Sequence, residues 1–234
     1  MIPISKPPVP LKNRILLTLP ESDRQTLLAE ADRIQLPIGH TLARAGDPIS
    51  SAFFPDTGVI ALMSEMTTGH QVAVAAIGAE GMIGLGPIFS LSQYLQPLVV
   101  FVDSTGFRVP AGRFHDVFER SELLRHVTLA HVGRKMNELI VAAACNRVHS
   151  HRQRLARWLL TTSDKAHLRS LNVTHEALAQ MVGGPRHAVT VALNELRAKG
   201  AIMHLRGRID ITNRSLLVAQ ACECYSASVR LVRK

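Results

Sequence analysis

Cysteine is scarce in this chain of 234 residues: Cys145, Cys222 and Cys224 are the three, and none precedes position 145. So small and odd a number cannot make a disulfide framework. Together with the lack of a secretory leader, it leads us to expect a reducing, cytoplasmic setting. The C-x-C spacing of Cys222 and Cys224 is a weak signal for a metal or redox site, and no metal centre is expected. Long apolar runs are also missing. Runs such as residues 98–102 and 139–145 fall far short of the ~20 residues that span a bilayer. Aromatic residues make up only 4% of the chain, and no basic helix carries the strong aromatic face that an anionic membrane surface would take up. Signature loops of catalysis are absent too: there is no G-x-x-x-x-G-K-[ST], no G-x-S-x-G and no H-E-x-x-H. An enzyme is therefore not expected.

What the chain does have is basic charge, unevenly placed. Residues 1–120 hold 9 Lys and Arg against 11 Asp and Glu, a net of −2; residues 121–234 hold 18 against 7, a net of +11. The length suits one large or two modest domains. The basic half is where release of phosphate counterions would drive binding to nucleic acid.

Within that half, residues 174–211 carry a specific pattern. Thr174 is placed to cap a helix over 175–182, with Leu178 and Val182 as its buried stripe. Gly183 and Gly184 supply positive φ at its end, and Pro185 suits the first turn of a second helix, where no amide partner is required. In that second helix Val189, Leu193 and Leu196 face inward. Arg186, Thr190, Asn194 and Arg197 share the opposite face, with His187 beside them. A helix-turn-helix requires this division, with polar side chains offered to base edges in the major groove. Arg186 is the best candidate for a base contact, because arginine pairs with guanine through two hydrogen bonds. After Lys199 and Gly200 end the helix, two strands at 202–205 and 208–211 flank a turn at Arg206 and Gly207. The hairpin reads as a wing with Arg206 and Arg208 at its tip.

The first half reads differently. Pro3, Pro7, Pro8 and Pro10 make a loose arm, and residues 11–34 look helical with a restart at Pro20. Ten of the fifteen glycines fall between positions 39 and 112 and separate short β-rich runs such as 59–63, 72–76 and 98–102, the pattern of a sandwich or barrel. Leu129, Val132, Met136, Leu139, Ala143 and Asn146 then recur at spacings of three and four. They predict one helix over about 122–150 that pairs with its copy along a heptad seam, with Ile140, Ala144 and Val148 facing the barrel. A symmetric dimer would carry two recognition helices to successive major grooves of a palindromic site.

In this order of parts, and most of all in the segment VTHEALAQMVGGPRHAVTVALNELRAKGAI at 173–202, the chain resembles the CRP/FNR family of bacterial transcription regulators. The resemblance implies an α+β fold: a double-stranded β-roll of the cyclic-nucleotide-binding jelly-roll type, a long dimerisation helix and a winged helix-turn-helix domain. The corresponding divisions are an arm at 1–12, the roll at 13–121, the helix at 122–150 and the DNA-binding domain at 151–234. Arg186 matches the family's arginine at the start of the recognition helix. His187 stands where a glutamate is common, and Val191 where cyclic-AMP-type members carry another arginine, so the usual operator does not carry over. The resemblance also implies a surface for RNA polymerase, which no stretch here identifies.

The effector cassette departs further. Cyclic-AMP binders carry a Gly-Glu pair and later an Arg-Ser pair; here, in the cassette that begins near Gly81, Gly84 is followed by Leu85, with Leu95 and Gln96 about where Arg-Ser would lie. Burying a phosphate without opposing charge costs several kcal/mol, so cyclic AMP is not expected and the effector is left open. Iron-sulfur members use clustered cysteines near the amino terminus, which this chain lacks. None of His40, His70, His115, His126 and His131 is marked as a haem ligand. The alternative reading is a small-molecule-sensing regulator that acts by protein contact and has only non-specific, salt-sensitive affinity for DNA.

Overall fold

The computed structural model describes residues 11–67, 69 and 71–227; residues 1–10 of the segment read as an arm, with all four of its prolines, and His70 lie outside the described residues. Two short helices, α1 (Arg14–Thr18) and α2 (Glu21–Leu28), lead into five antiparallel strands: β1 (Asp32–Leu36), β2 (Thr41–Ala43), β3 (Ser51–Glu65), β4 (Gln71–Ile77) and β5 (Leu98–Pro110). Helix α3 (Ala111–Arg120) connects to α4 (Glu122–Val148), and α5 (His151–Ala166) follows. The rest is β6 (Ser170–Asn172), α6 (His175–Val182), α7 (Arg186–Ala198), β7 (Ile202–Leu205), β8 (Arg208–Ile211) and α8 (Arg214–Gln220).

The first sheet runs β1-β5-β3-β4, with β2 also on β5. Two expectations are corrected here. The helical reading of residues 11–34 holds only to Leu28. Ile34 lies on β1, opposite Gly106 of β5, because a waiting strand edge decides residues whose local pattern is ambiguous. Two of the β-rich runs are also not short, since 59–63 lies in β3 of 15 residues and 98–102 in β5 of 13, whereas 72–76 lies in β4 of 7. Gly58 and Gly106, expected at strand ends, lie inside strands. Gly58 has φ +80° at an irregularity in the β3–β5 ladder, and a Cβ there would stand 2.4 Å from the Asp103 carbonyl oxygen. Bulges of this kind bend a long ribbon into a roll instead of ending it.

Buried Asn13 ties the amino-terminal helices to the roll. Its amide donates to the carbonyls of Pro55 and Gly81, both at 2.8 Å, and its side-chain oxygen caps α1 at Leu16 N. Buried Asp56 accepts the amides of Lys12 and Asn13, each at 3.0 Å, and the guanidinium of Arg33 at 3.2 Å. These bonds satisfy polar groups whose burial would otherwise be costly.

Helix α4 buries Leu124, Thr128, His131 and Cys145, spaced by multiples of three to four residues as a helical face requires. Ile140, Ala144 and Val148 do not face the roll, contrary to expectation. Ile140 is 65% exposed, Val148 is 72% exposed, and Ala144 is also exposed. The inward stripe is polar in its middle, so apolar periodicity does not reveal it. Lys135 Nζ lies 2.8 Å from Glu80 Oε1 and 3.1 Å from Glu138 Oε2; Lys165 Nζ of α5 lies 2.5 and 3.3 Å from the same two oxygens. Both ammonium groups also donate to the Ala76 carbonyl, at 3.1 and 3.0 Å. Burial alone would raise the Glu80 carboxyl, but the charges of Lys165 and Lys135 outweigh it and hold the group well below the usual carboxylate range. Sheet, long helix and α5 are joined at one electrically balanced point.

His131 packs against the backbone at Gly81, where a Cβ would come 2.2 Å from its Cε1. Burial, reinforced by Lys135, lowers its pKa from 6.5 to about 4 against the opposing pull of Glu80. Between those values the unfolded chain takes a proton that the folded protein refuses, so stability falls as pH drops from 6.5 toward 4. His131→Gln should flatten the dependence of the urea midpoint on pH in that window. Glu80, held below its ordinary value, adds its own loss only from about pH 5 downward, where the unfolded carboxyl begins to take a proton, so the upper part of the window reports His131. Glu80→Gln at neutral pH leaves two ammonium groups on one carboxylate. It should lower stability by about 3–5 kcal/mol in urea unfolding, the usual loss when one member of a buried pair is removed.

Candidate nucleic-acid interface

The pattern at 174–211 folds as its periodicity requires. The Thr174 hydroxyl accepts the Ala177 amide at 3.1 Å and starts α6 at His175, and Gly183 ends it with φ +68°. Gly184 is corrected: its φ is not positive. It is small because a Cβ there would stand 2.4 Å from His151 Nε2 of α5. Pro185 stands one residue before α7, with φ −68° and ψ 147°.

Helix α7 packs Val189, Leu193 and Leu196, all fully buried, onto α5, whose Leu155, Leu159 and Leu160 are equally buried. Leu178 and Val182 of α6 complete this core. At roughly 1.5–3 kcal/mol per buried large aliphatic side chain, the anchoring is strong enough to hold one fixed face of α7 outward. That face presents Arg186, His187, Asn194 and Arg197, all exposed. Val191, on the same side, is 55% exposed and offers an apolar contact beside them. Thr190 is half-buried and differs from the others. Its hydroxyl lies 3.1 Å from the Arg186 carbonyl oxygen and 3.2 Å from His175 Nδ1, so it ties α7 to α6.

The wing forms as a hairpin with Leu205 opposite Arg208 and Gly207 at φ +75°. Arg206 is exposed at its tip, and Arg208 Nε lies 2.9 Å from Asp210 Oδ1. A third strand, β6, pairs with β8 and completes a small sheet, β6-β8-β7. Sequence reasoning does not find β6, since three residues are too few for a period to show.

Arg154 is likewise invisible to it. This arginine of α5 is 6% exposed and donates to two main-chain carbonyls, Asn146 at 3.2 Å and Gly183 at 3.3 Å. The first oxygen belongs to the last turn of α4, the second to the end of α6. Each is the negative end of a helix, where a cation is favoured. One side chain thus links the long helix to the turn that aims α7. The Ser150–Gln153 capping box starts α5 beside it.

The five residues of the degenerate cassette lie in the segment between β4 and β5. Gly81 is packed on His131, and Gly84, with φ +89°, lies where a Cβ would stand 2.3 Å from the Ser51 carbonyl oxygen. Leu85 and Gln96 are half-buried, and Leu95 is 67% exposed. A cavity of about 590 Å³ lies elsewhere, between β4, α4 and α5, lined by Val74, Glu138, Ala143, Asn146, Trp158 and Met181 among others. Of the seam residues, Leu129, Met136, Leu139, Ala143 and Asn146 are exposed on α4, and Val132 is half-buried. Among the described residues no helix is long and apolar enough to cross a membrane.

Comparison with known proteins agrees with this layout. Residues 33–121 match the cyclic nucleotide-binding domain family, and residues 153–219 match the Crp-like helix-turn-helix domain family. No curated protein matches the chain by sequence. Among solved structures, a CRP-family transcriptional regulator from Thermus thermophilus superposes with a TM-score of 0.68 at 16% identity, covering 80% of this chain and 96% of that one. FixK2 from Bradyrhizobium japonicum gives 0.69 at 14% identity, covering 82% and 98%. The c-di-GMP responsive global regulator CLP of Xanthomonas campestris gives 0.67 at 16% identity, covering 82% and 99%. At such identities the likeness concerns the fold.

Arg154→Met keeps the length of the side chain and removes both hydrogen bonds, leaving the Asn146 and Gly183 carbonyls without this donor. It should lower stability by about 1–3 kcal/mol and speed hydrogen exchange of the amides around Gly183 and Gly184, read by mass spectrometry. Unchanged exchange there would mean that Arg154 does not hold the turn.

Proposed function

By its two matched domains the chain belongs to the CRP/FNR family of transcription regulators, and we propose that it acts as a homodimer reading a palindromic DNA operator. The observation that carries this reading is the outer face of α7: Arg186, His187, Asn194 and Arg197 stand exposed on a helix whose other face is locked into the core. Arg186, at the first turn, offers two donors to a guanine edge, and Asn194 and Arg197 extend the polar face toward the other end of the helix. Thr174 at the start of α6, and Arg206 and Arg208 on the wing, supply contacts to phosphates. These contacts position the protein without reading sequence. Thr190 keeps α6 and α7 in register.

Dimerisation is supported by the outer face of α4. Leu129, Met136, Leu139 and Ala143, spaced by seven, three and four residues, make an exposed apolar row unusual for a solvated surface, with Met136 60% exposed. A second α4 along this row would bury it. Asn146 would then lie on the seam and help set the register, as single polar residues do in helix pairs. With no Glu after Gly84 and no Arg-Ser at Leu95 and Gln96, the roll takes an effector of another chemistry than cyclic AMP, or supports the dimer without one.

Two measurements check the reading. Selection of bound sequences from a random DNA pool at near-physiological salt should return a palindrome. Arg186→Ala should then weaken binding to it by roughly 1–3 kcal/mol and relax one base pair of each half-site; a pool without enrichment would favour the protein-contact reading. Met136→Glu should convert the dimer to a monomer in sedimentation velocity with little change in thermal stability. A persisting dimer would move the interface elsewhere.

A further inference from the structure

The joint between α4 and the winged helix holds a second constellation, unconnected with base reading. Cys145 closes the last turns of α4, and His149 follows four residues on, so both side chains leave the helix end on one side. Cys222 and Cys224 come from the segment just after α8, on either side of Glu223. The fold brings the two pairs together. The three Sγ atoms and a ring nitrogen of His149 all lie within 4.8 Å of one another. Cys145 Sγ is 3.5 Å from Cys222 Sγ, and Cys224 Sγ is 3.7 Å from His149 Nδ1. No disulfide joins any of the three cysteines.

We propose that Cys145, His149, Cys222 and Cys224 form a Cys3His zinc site that fastens the carboxy-terminal segment to the end of the long helix.

Tetrahedral zinc, bound to sulfur at about 2.3 Å and to nitrogen at about 2.0–2.1 Å, sets its ligand atoms roughly 3.5–3.8 Å apart. Contraction of the cluster by small side-chain rotations reaches that geometry. The donor set selects the metal: thiolates with one imidazole in a tetrahedral frame suit zinc, and oxygen-seeking magnesium or calcium finds no oxygen ligand among the four. All four positions come from protein, and Cys145, Cys222 and Cys224 are buried. The site is therefore closed, which marks a structural and not a catalytic metal. His149 is already oriented as a ligand. Its Nε2 lies 3.2 Å from Glu223 Oε1, which leaves Nδ1, the atom beside Cys224, to bind the ion. A carboxylate on the far nitrogen fixes the tautomer of a metal-ligating histidine and strengthens it as a donor. On binding, the three thiols release their protons to solvent and His149 enters as neutral imidazole, so uptake of one zinc ion frees three protons. The site also adjoins Arg154, which holds the carbonyl of Asn146, the residue after Cys145. Metal and arginine thus lock the same helical turn.

The test uses the full chain, reduced and freed of metal, titrated with cobalt(II) and then zinc(II). Thiolate-to-cobalt charge transfer and tetrahedral ligand-field bands should saturate at about one cobalt per chain, fade when zinc is added, and leave a protein that melts at higher temperature than the chelated form. Cys224→Ser should reduce the charge-transfer intensity and weaken binding. Glu223→Ala removes only an exposed carboxylate and leaves the fold intact. It should weaken cobalt binding by roughly tenfold or more. Either of two outcomes overturns the proposal. One is the weak octahedral spectrum of hydrated cobalt with the folded wild-type chain. The other is a chain that, after reduction, binds no cobalt and on exposure to dioxygen loses two hydrogens in a Cys145–Cys222 disulfide. Neither readout depends on DNA.

Discussion

The Glu80–Lys135–Glu138–Lys165 cluster is the constraint on which the arrangement of the whole chain rests. Its four charges come from the loop after β4, from α4 and from α5, and they lie between 2.5 and 3.3 Å from their partners. Two positive and two negative groups cancel, and the Ala76 carbonyl takes a further bond from each ammonium. Buried charges tolerate no slippage, because moving α4 by one turn would strip Glu80 of Lys135 while keeping it out of water. The register of the long helix against the roll is held this way. Apolar contact alone would permit several sliding positions.

From that anchor the chain carries position outward in two steps. Helix α5 bears Lys165 near one end and Arg154 near the other, and between them Leu155, Leu159 and Leu160 form the floor on which α6 and α7 pack. Arg154 then meets the ends of α4 and α6 at once. It is held there by the negative poles of two helices, not by a carboxylate. A displacement of α4 has a direct mechanical route to the turn that aims Arg186 and Asn194. In a symmetric dimer, both recognition helices would respond to one change in how the two copies of α4 meet.

Much of the DNA-facing half was legible in the sequence. Helices at 175–182 and 186–198, the wing strands and the inward set Val189, Leu193 and Leu196 all follow from local period and capping, which act within a few residues. The first half was harder. Ile34 lies on a strand because β5 offers it a partner some seventy positions away, and Gly58 and Gly106 sit within strands because their neighbours leave no room for a Cβ. The inward face of α4 escapes a local reading for a similar reason: lysine and glutamate look solvated until Lys165 arrives from α5 to balance them.

The sequence by itself determined the division of charge, the helix pair with its polar outer face and the capping of α6. Those features depend on residue type and short spacing, which the chain carries regardless of its fold. Only the tertiary structure decided that α4 turns Ile140 and Val148 outward, that Arg154 joins two helix ends, and that Cys145 and His149 meet Cys222 and Cys224. Each depends on groups distant in sequence being driven together by the burial of α5. Their partners are chosen by packing and by the cost of leaving a buried charge or donor unmatched, quantities that no local pattern contains.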